Sequence, residues 1–275
     1  MNVEGWLAHA SKELSDSGID FGRLEARMLL ERALSLSREE LLSKGKQLEI
    51  SESQFAAASY LLRRRMNGEP MAHVVGSKEF FGRPFKVNAS VLIPRPETEL
   101  LAEALALIVK PDWNCIDVGT GSGCLAITVA LEKPGATWVA TDTSATALDV
   151  ARENAHDLGS KVTFVQTDVL AAFAPHAFDV VVSNPPYIAV GDERVAPDVH
   201  KWEPHRALYA GESGIEFIER LIDEAKRVLR AGGWLAFEFG MGQAHEVAAL
   251  LWGWEAEVRP DLEGTERFAL ARSPG

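Results

Sequence analysis

The nine residues from Cys115 to Gly123, CIDVGTGSG, decide the fold. The apolar residues before the glycines are typical of a buried β-strand, and glycine then alternates with small polar residues through the next five positions. Glycines let the backbone turn tightly and approach a bound molecule with no Cβ in the way. The stretch therefore predicts a strand that ends in a ligand-contacting loop.

Strands and helices alternate on both sides of this loop. Short apolar runs bounded by turn residues predict seven strands, at 113–118, 137–142, 162–166, 178–183, 234–239, 254–259 and 267–271. Helical spacing predicts helices over 97–109 and near 123–132, 144–157, 214–230 and 242–251. Seven strands joined by crossover helices indicate an open, doubly wound α/β sheet. Ligands bind to such sheets beyond the carboxyl ends of the strands.

Residues 1–70 predict a small helical bundle, because their apolar side chains recur at helical spacing. Asp20 is placed to cap a helix that begins at Phe21. Two further helix starts have the capping-box form, one at Ser37 to Glu40 and one at Ser51 to Gln54. The bundle is expected to end at the turn residues 67–70.

A change of pattern follows the bundle. Residues 71–93 hold three short β-type runs, at 73–75, 79–81 and 85–87, which glycine and proline separate. They predict a β-hairpin linker. Residues 94–275 then form the α/β domain that is expected to carry the chemistry.

The composition excludes several classes of protein. With 275 residues and 47% hydrophobic content the chain can bury a sizeable core, so a disordered chain is excluded. Its longest apolar runs are far shorter than the ~20 residues of a membrane span. No secretory signal is readable at the N-terminus, and two cysteines cannot build a disulfide framework. A cytoplasmic protein without a membrane partner is expected.

The charge is uneven along the chain. Residues 1–86 hold 13 basic and 12 acidic side chains, whereas the remaining 189 residues hold 15 and 28. A catalytic part this acidic would repel a phosphate backbone, so nucleic acid is disfavoured as the main partner. Proteins and small cations remain open as partners.

Three strand ends predict an adenosine site. The glycine loop, Gly119-Thr120-Gly121-Ser122-Gly123, follows the first strand, and Asp142 ends the second, where a carboxylate can accept both ribose hydroxyls. Asp168 and Val169 follow the third strand, where an acid can accept from an exocyclic amino group. Helix capping is the alternative role for each acid. A phosphate-binding P-loop is excluded, because no Gly-Lys-Ser/Thr is present.

The fourth strand runs into Asn184-Pro185-Pro186-Tyr187. Two prolines remove two amide donors, so the carbonyls there have no competing N–H groups nearby. Asn184 adds a side-chain acceptor and Tyr187 a planar face. The pattern is typical of a pocket for a flat group that bears an NH2, and the alternative is a simple proline turn.

These motifs together resemble a known set. The chain resembles the class I S-adenosylmethionine-dependent N-methyltransferases, which have a Rossmann-like sheet. The resemblance rests on an acid before the glycine loop, the loop itself, a second acid and N-P-P-Y. Upstream, GSKEFFGRPFKV at 76–87 and VLIPRPETE at 91–99 are similar to the family that methylates glutamine in peptide chain release factors. The likeness covers essentially the whole chain. Small departures are His73, where an aromatic is expected, and Phe237 to Met241, a variant of a more aliphatic strand end.

The resemblance implies a set of roles. S-adenosylmethionine is expected to bind without any metal, and S-adenosylhomocysteine is the product. Its expected contacts are Gly119 to Gly123, Asp142, Asp168 or Val169, and Asn184, with Phe81, Arg95, Pro96, Glu97 and Thr98 closing over it. The substrate glutamine, in a Gly-Gly-Gln loop, is expected at Asn184, Pro185, Pro186 and Tyr187. The near-neutral bundle is the expected docking element for the release factor.

Three alternatives remain open from the sequence. One is methylation of a ribosomal-protein glutamine, since the relevant family shares the central motifs. Another is methylation of an exocyclic amino group of DNA or RNA, where N-P-P-Y would hold a flipped-out base. A third is a ligand-dependent binding module with no activity.

Overall fold

The computed structural model describes residues 2–44 and 48–274. These residues form two compact units, and the division between the units falls between Ser77 and Lys78. Each unit has its own hydrophobic core. No helix in the described ranges combines the length and the apolar character that crossing a bilayer requires.

Within its described residues the first unit is helical. Its elements are α1 (Val3–Asp16), α2 (Gly22–Leu34), α3 (Arg38–Lys44), α4 (Glu52–Met66) and α5 (Met71–Val75). Each of the long helices buries one stripe of side chains. Trp6 and Leu14 of α1 share a core with Leu29 and Leu30 of α2. Since short isolated helices are marginal in water, this shared core is what makes them stable.

Both predicted capping boxes are confirmed, and the predicted helix cap at Asp20 is wrong. Ser37 pairs with Glu40, and Ser51 with Gln54, through reciprocal side-chain and backbone bonds. The helix α2 starts at Gly22, with Phe21 at its N-cap and no side-chain cap. A Cβ on Gly22 would lie 2.8 Å from the Ser11 carbonyl oxygen. The close approach of α2 to α1 at this position therefore requires glycine, and the helix starts one residue later than predicted.

The prediction of a β-type run at 73–75 is also wrong, because these residues form helix α5. Pro70 precedes α5, and Gly76 ends it in the left-handed conformation at φ 77°. His73 and Val74 are buried within the first unit. This burial outweighs the weak preference of valine for strands, which is worth less than about 1 kcal/mol. A hairpin does follow, formed by β1 (Ser77–Phe80) and β2 (Arg83–Lys86).

The second unit contains the predicted seven-stranded sheet. Its strands are β3 (Asn114–Val118), β4 (Thr137–Asp142), β5 (Thr163–Gln166), β6 (Phe178–Ser183), β7 (Leu229–Glu238), β8 (Glu255–Pro260) and β9 (Glu266–Arg272). Their order across the sheet is β5-β4-β3-β6-β7-β9-β8. The first five strands pair in parallel, and β9 is antiparallel to both of its neighbours. The α/β class and the number of strands are confirmed.

Helices connect these strands. They are α6 (Pro96–Ile108), α7 (Cys124–Glu132), α8 (Ala145–Leu158), α9 (Pro197–Trp202), α10 (Glu216–Val228) and α11 (Ala244–Leu250). The sequence predicted all of them except α9, a short helix inside the 188–213 segment. Two apolar cores enclose the sheet, one on each side of its buried central strands.

The strand order reverses between β3 and β6, which opens a crevice at their carboxyl ends. The register brings those ends to one level. Val118 of β3 is opposite Thr141 of β4 and Ser183 of β6, and Ser183 is opposite Phe237 of β7. The loops after these strands therefore meet at one edge of the sheet.

Gly123→Ala is expected to destabilise the protein by roughly 2–4 kcal/mol. Its new Cβ would lie 2.7 Å from Ile127 Cδ1 and 3.1 Å from Ala151 Cβ, at a φ of +81°. Gly159→Ala is the matched control, since φ is +70° there but no atom lies within 4 Å. It should cost about 1 kcal/mol, from backbone strain alone. Equal costs in chemical denaturation would contradict the packing role of Gly123.

Candidate active site

A cleft of about 950 Å³, including its open mouth, lies at the carboxyl edge of the sheet. Loops after β3, β4, β5 and β6 form one side of it. The residues predicted for a ligand that do line the cleft are Thr98, Gly119, Thr120, Gly121, Ser122, Asp142, Val169, Asn184 and Pro186.

The glycine loop is fixed to the strand beside it. The Thr120 amide donates to the Thr141 carbonyl oxygen at 2.8 Å, and the Gly121 amide donates to Asp142 Oδ2 at 3.1 Å. Gly123 lies outside the lining, where it packs against Ile127 and Ala151. The first four residues of the loop therefore line the cleft, and Gly123 packs against the helices.

Asp117 supports this loop from below. It is 1% exposed, and its Oδ2 accepts a 2.7 Å hydrogen bond from the Thr120 hydroxyl. Burial raises the pKa of Asp117 to about 7, although the bond from Thr120 favours the charged form and Asp142 disfavours it. The sequence identified Asp117 as part of the motif, but the pattern gave no sign of its perturbed ionisation.

Asp142 is held rigidly at the end of β4. Its Oδ1 accepts from the Ser144 amide at 2.9 Å, and its Oδ2 accepts from the Gly121 amide. Each carboxylate oxygen can accept a second hydrogen bond, so the group still has capacity for two donors from a ligand. The helix-capping role is filled instead by the Ser144 side chain, which accepts from the Ala147 amide.

The structure separates Asp168 from Val169. The exposed Asp168 carboxylate lies outside the cleft lining and pairs with Arg220 at 2.9 Å. Val169 is 3% exposed, lines the cleft and has a φ of +46°. A β-branched residue in the left-handed region is strained by roughly 1–3 kcal/mol, and such strain is typical of binding sites. Of the pair, Val169 is the residue that lines the cleft.

Asn184 lines the cleft just after β6. Its Nδ2 donates to Thr98 Oγ1 at 3.0 Å, and its buried Oδ1 accepts no hydrogen bond from the described residues. A buried acceptor without a donor costs about 1–3 kcal/mol, and such a group is typical of functional sites. Pro186 lines the cleft as well, whereas Pro185 and Tyr187 lie outside the lining.

Tyr187 is positioned through its main chain. Gln243 Nε2 donates to the Tyr187 carbonyl oxygen at 3.0 Å, and Gln243 Oε1 accepts from the Gly240 amide at 2.7 Å. Burial raises the pKa of the Tyr187 hydroxyl to about 12, so it stays neutral near pH 7. The sequence gave no signal for Gln243, because a glutamine at a helix start is common on protein surfaces.

The other side of the cleft is formed by two loop segments, 90–94 and 204–207, which we call the roof. Glu203 joins them. It is 4% exposed, and its carboxylate accepts from the Ile93 amide at 2.9 Å and pairs with Arg95. The sequence gave no sign that Glu203 is a buried link, because its partners lie 110 and 108 residues away in the chain.

Four residues predicted to close over a ligand lie outside the cleft lining: Phe81, Arg95, Pro96 and Glu97. Phe81 has a φ of 53°, and its amide donates to Glu99 Oε1 at 3.0 Å. Arg95 pairs with Glu203 beneath the roof. These residues support the segment that presents Thr98 to the cleft, rather than lining the cleft themselves.

No group of three or more His, Cys, Asp or Glu side chains suited to a metal occurs within residues 2–44 and 48–274. The polar groups that line the cleft are backbone amides, hydroxyls, one amide side chain, the Cys124 thiol, the Arg206 guanidinium and the carboxylates of Asp117 and Asp142. This set suits a polar organic ligand.

Comparison with known proteins gives consistent relationships. Residues 96–199 match the methyltransferase small domain family, and residues 5–76 match the PrmC N-terminal domain family. A methyltransferase from Pyrococcus furiosus has a similar fold, with a TM-score of 0.54 and 20% identity over 79% of this chain and 99% of that one. The fold and the cleft define a class I methyltransferase.

Two curated relatives narrow the class. The release factor glutamine methyltransferase of Nitratidesulfovibrio vulgaris is 40% identical over 280 residues, covering 98% of this chain and 95% of the relative. That of Neisseria gonorrhoeae is 41% identical over 255 residues, covering 91% and 93%. The chain belongs to the release factor glutamine methyltransferase family.

Proposed function

We propose that this chain transfers a methyl group from S-adenosylmethionine to the side-chain amide nitrogen, N5, of the glutamine in the Gly-Gly-Gln motif of peptide chain release factors. Membership of the family supports this proposal. The observation that carries it is the buried Asn184 Oδ1, an acceptor without a donor at the end of β6. A primary amide is a donor of the kind that this oxygen lacks.

The residues of the cleft fit S-adenosylmethionine. A Cβ on Gly119 or Gly121 would meet no atom within 4 Å, so bare backbone faces open space there. The Asp142 carboxylate has spare acceptor capacity for two hydroxyls, and Val169 gives an apolar surface for a ring. Asp117 is buried below the loop on the same side. When bound, the cofactor supplies a methyl group on a sulfonium, which a nitrogen can displace in line.

The acceptor nitrogen needs activation by position. An amide nitrogen is a poor nucleophile, because its lone pair is delocalised into the carbonyl. If Asn184 Oδ1 and the Pro185 carbonyl each accept one amide hydrogen, the nitrogen becomes more pyramidal and its lone pair faces the cleft. Correct alignment of this kind can lower a barrier by several kcal/mol. Among the described residues the Asn184 side chain hydrogen-bonds only to Thr98, and no general base is needed before transfer.

Tyr187 excludes water from the amide. Its hydroxyl does not ionise near pH 7, since burial raises its pKa to about 12. A neutral ring stacked on the substrate amide keeps water away from the two hydrogen bonds that the amide donates. Gln243 donates to the main-chain carbonyl oxygen of Tyr187, and this bond fixes the part of the loop that carries the ring.

The experiment that tests the proposal offers labelled S-adenosylmethionine with intact release factor, ribosomal protein or nucleic acid in parallel. We expect a mass gain of one methyl group on release factor, on the peptide that holds the glutamine. Methylation of only the ribosomal protein or only the nucleic acid would overturn the proposed substrate. No methylation of any of them, with cofactor bound, would favour a binding module.

Asn184→Ala is expected to abolish methyl transfer while cofactor affinity stays within a few-fold. The lost Oδ1 orients the substrate amide, and the cofactor is held mainly by the loops after β3 and β4. Single-turnover assays measure the transfer, and calorimetry measures cofactor binding. Near-normal turnover in this variant would remove Asn184 from the acceptor site.

Asp142→Ala is expected to weaken S-adenosylmethionine binding by roughly 1–3 kcal/mol, because two ligand hydroxyls would lose their acceptor. Calorimetry measures the change. Asp168→Ala is the matched control, since its carboxylate lies outside the cleft and pairs with Arg220. If both variants bind cofactor like the wild type, Asp142 is not a cofactor ligand.

We also propose that the first unit docks the release factor. One glutamine side chain cannot distinguish its carrier from other proteins, so more contact is needed. Two apolar side chains on successive turns at the start of α2, Phe21 and Leu24, are 70% and 45% exposed. Side chains three apart share a helix face, so they form a surface that suits an apolar patch of a folded protein.

The double substitution Phe21→Ser with Leu24→Ser should raise KM for intact release factor about tenfold and leave kcat within about twofold. Activity on a short glutamine peptide should not change, because a short peptide lacks the folded surface that this face would bind. Trp252→Ser in the second unit, where Trp252 is 89% exposed, is the control. An unchanged KM for intact factor would remove this face from docking.

A further inference from the structure

One charged side chain of the cleft has no role in the proposed reaction. Among the described residues that line the cleft, Arg206 is the one with a positive charge, and the acids there are Asp117 and Asp142. Within the described part of the chain the Arg206 guanidinium makes no hydrogen bond and no ion pair. A guanidinium offers five N–H donors in a planar fork, which matches the two oxygens of a carboxylate. The roof therefore presents a group that suits an anion.

The main chain of Arg206 is fixed by bonds on both sides of it. Arg206 lies in a single turn of 3-10 helix, His205–Ala207. Before this turn, the buried Glu203 carboxylate accepts from the Ile93 amide at 2.9 Å. After the turn, the Leu208 carbonyl oxygen accepts from the Ile188 amide at 3.0 Å. The guanidinium therefore reaches a limited part of the cleft, whichever rotamer it adopts.

Both attachments of this turn belong to the end of the cleft that holds Asn184. Ile188 directly follows the N-P-P-Y motif. Ile93 leads into α6, where Thr98 Oγ1 accepts from Asn184 Nδ2 at 3.0 Å. The end of β4, which is proposed for the ribose, lies two strand spacings from β6, or roughly 10 Å away. Arg206 therefore belongs to the end of the cleft where the methyl group is transferred.

The shape of S-adenosylmethionine identifies the anion at this end. The molecule has adenosine at one end and an amino acid at the other, with the sulfonium methyl between them. If the ribose lies at Asp142 and the methyl faces Asn184, the amino acid also lies at the Asn184 end. This amino acid carries the one carboxylate of the molecule. It is the group that the Arg206 guanidinium fits.

We propose that Arg206 binds the carboxylate of the amino acid part of S-adenosylmethionine and so selects ligands that keep this group. The proposal rests on the proposed function only for the identity of the cofactor. The acids Asp117 and Asp142 repel an anion elsewhere in the cleft, because like charges close together are unfavourable. Arg206 therefore also fixes which way round the cofactor binds.

The first test compares two ligands that differ by one carboxylate, S-adenosylhomocysteine and decarboxylated S-adenosylhomocysteine. Calorimetry with the full chain measures the affinity for each. Arg206→Met removes the charge and keeps an unbranched side chain of similar reach. It should weaken binding of S-adenosylhomocysteine about 10-fold, since a hydrogen-bonded charge pair is lost. Binding of the decarboxylated ligand should stay within about twofold.

Arg194→Met is the matched control. Arg194 belongs to the same 188–213 segment and is exposed, but it pairs with Asp192 and lies outside the cleft lining. This variant loses the same charge and should bind both ligands like the wild type. Arg206→Lys should keep part of the preference for S-adenosylhomocysteine, because an ammonium attracts a carboxylate without the planar fork. Arg206 is exposed, so its variants should unfold at the denaturant concentration of the wild type.

A second measurement varies the salt concentration. Salt screens the attraction between charges that water can reach. In the wild type, the preference for S-adenosylhomocysteine over the decarboxylated ligand should therefore shrink as sodium chloride is added. In Arg206→Met this decrease should be absent.

Three results would overturn the proposal. One is an equal loss of affinity for both ligands in Arg206→Met, and another is no loss for either. The third is an unchanged affinity for S-adenosylhomocysteine with a raised KM for release factor, which would place Arg206 on the protein substrate. Wild-type protein that binds neither ligand would overturn the cofactor assignment and this proposal with it. If the carboxylate preference is found but no release factor is methylated, the proposed function fails and the role of Arg206 stands.

Discussion

The pairing of β3 with a parallel strand on each side is the constraint on which the cleft depends. Val118 ends β3 opposite Thr141 and Ser183, and the Ser183 hydroxyl donates to the Val118 carbonyl oxygen at 2.7 Å. Since all three strands run the same way, their chains leave the sheet at one level. The glycine loop, Asp142 and Asn184 come from separate parts of the sequence and meet because of this register alone.

Two buried acids lie close to the cleft. Asp117 accepts from the Thr120 hydroxyl below the glycine loop, and Glu238 ends β7 beside the strand that leads to Asn184. In both cases burial raises the pKa of the acid to about 7. A pKa above the unfolded value means that each acid's contribution to stability is present at low pH and is lost as the pH rises through about 7. The protein thus bears a stability cost near neutral pH at both acids.

The sequence predicted what depends on local pattern. Alternating apolar runs, glycines and prolines gave all seven strands, and the motifs brought Asp142, Asn184 and the loop to one edge. It could not rank Asp168 against Val169, because the choice depends on Arg220, which lies 52 residues away in the chain. Glu203 and Gln243 were missed as structural links for the same reason, since their partners are distant in sequence. Residues 73–75 were mistaken for a strand because burial in the bundle outweighed propensity.

The link through Glu203 bears on the speed of turnover. This buried carboxylate joins two roof segments by bonds to the Ile93 amide and to Arg95. Separating the segments would leave a charge without its partners in a low-dielectric setting, which costs several kcal/mol. A molecule beneath the roof then has a residence time set by how often these bonds break together. Departure of a bound product, rather than the chemical step, is the event that such a roof would slow.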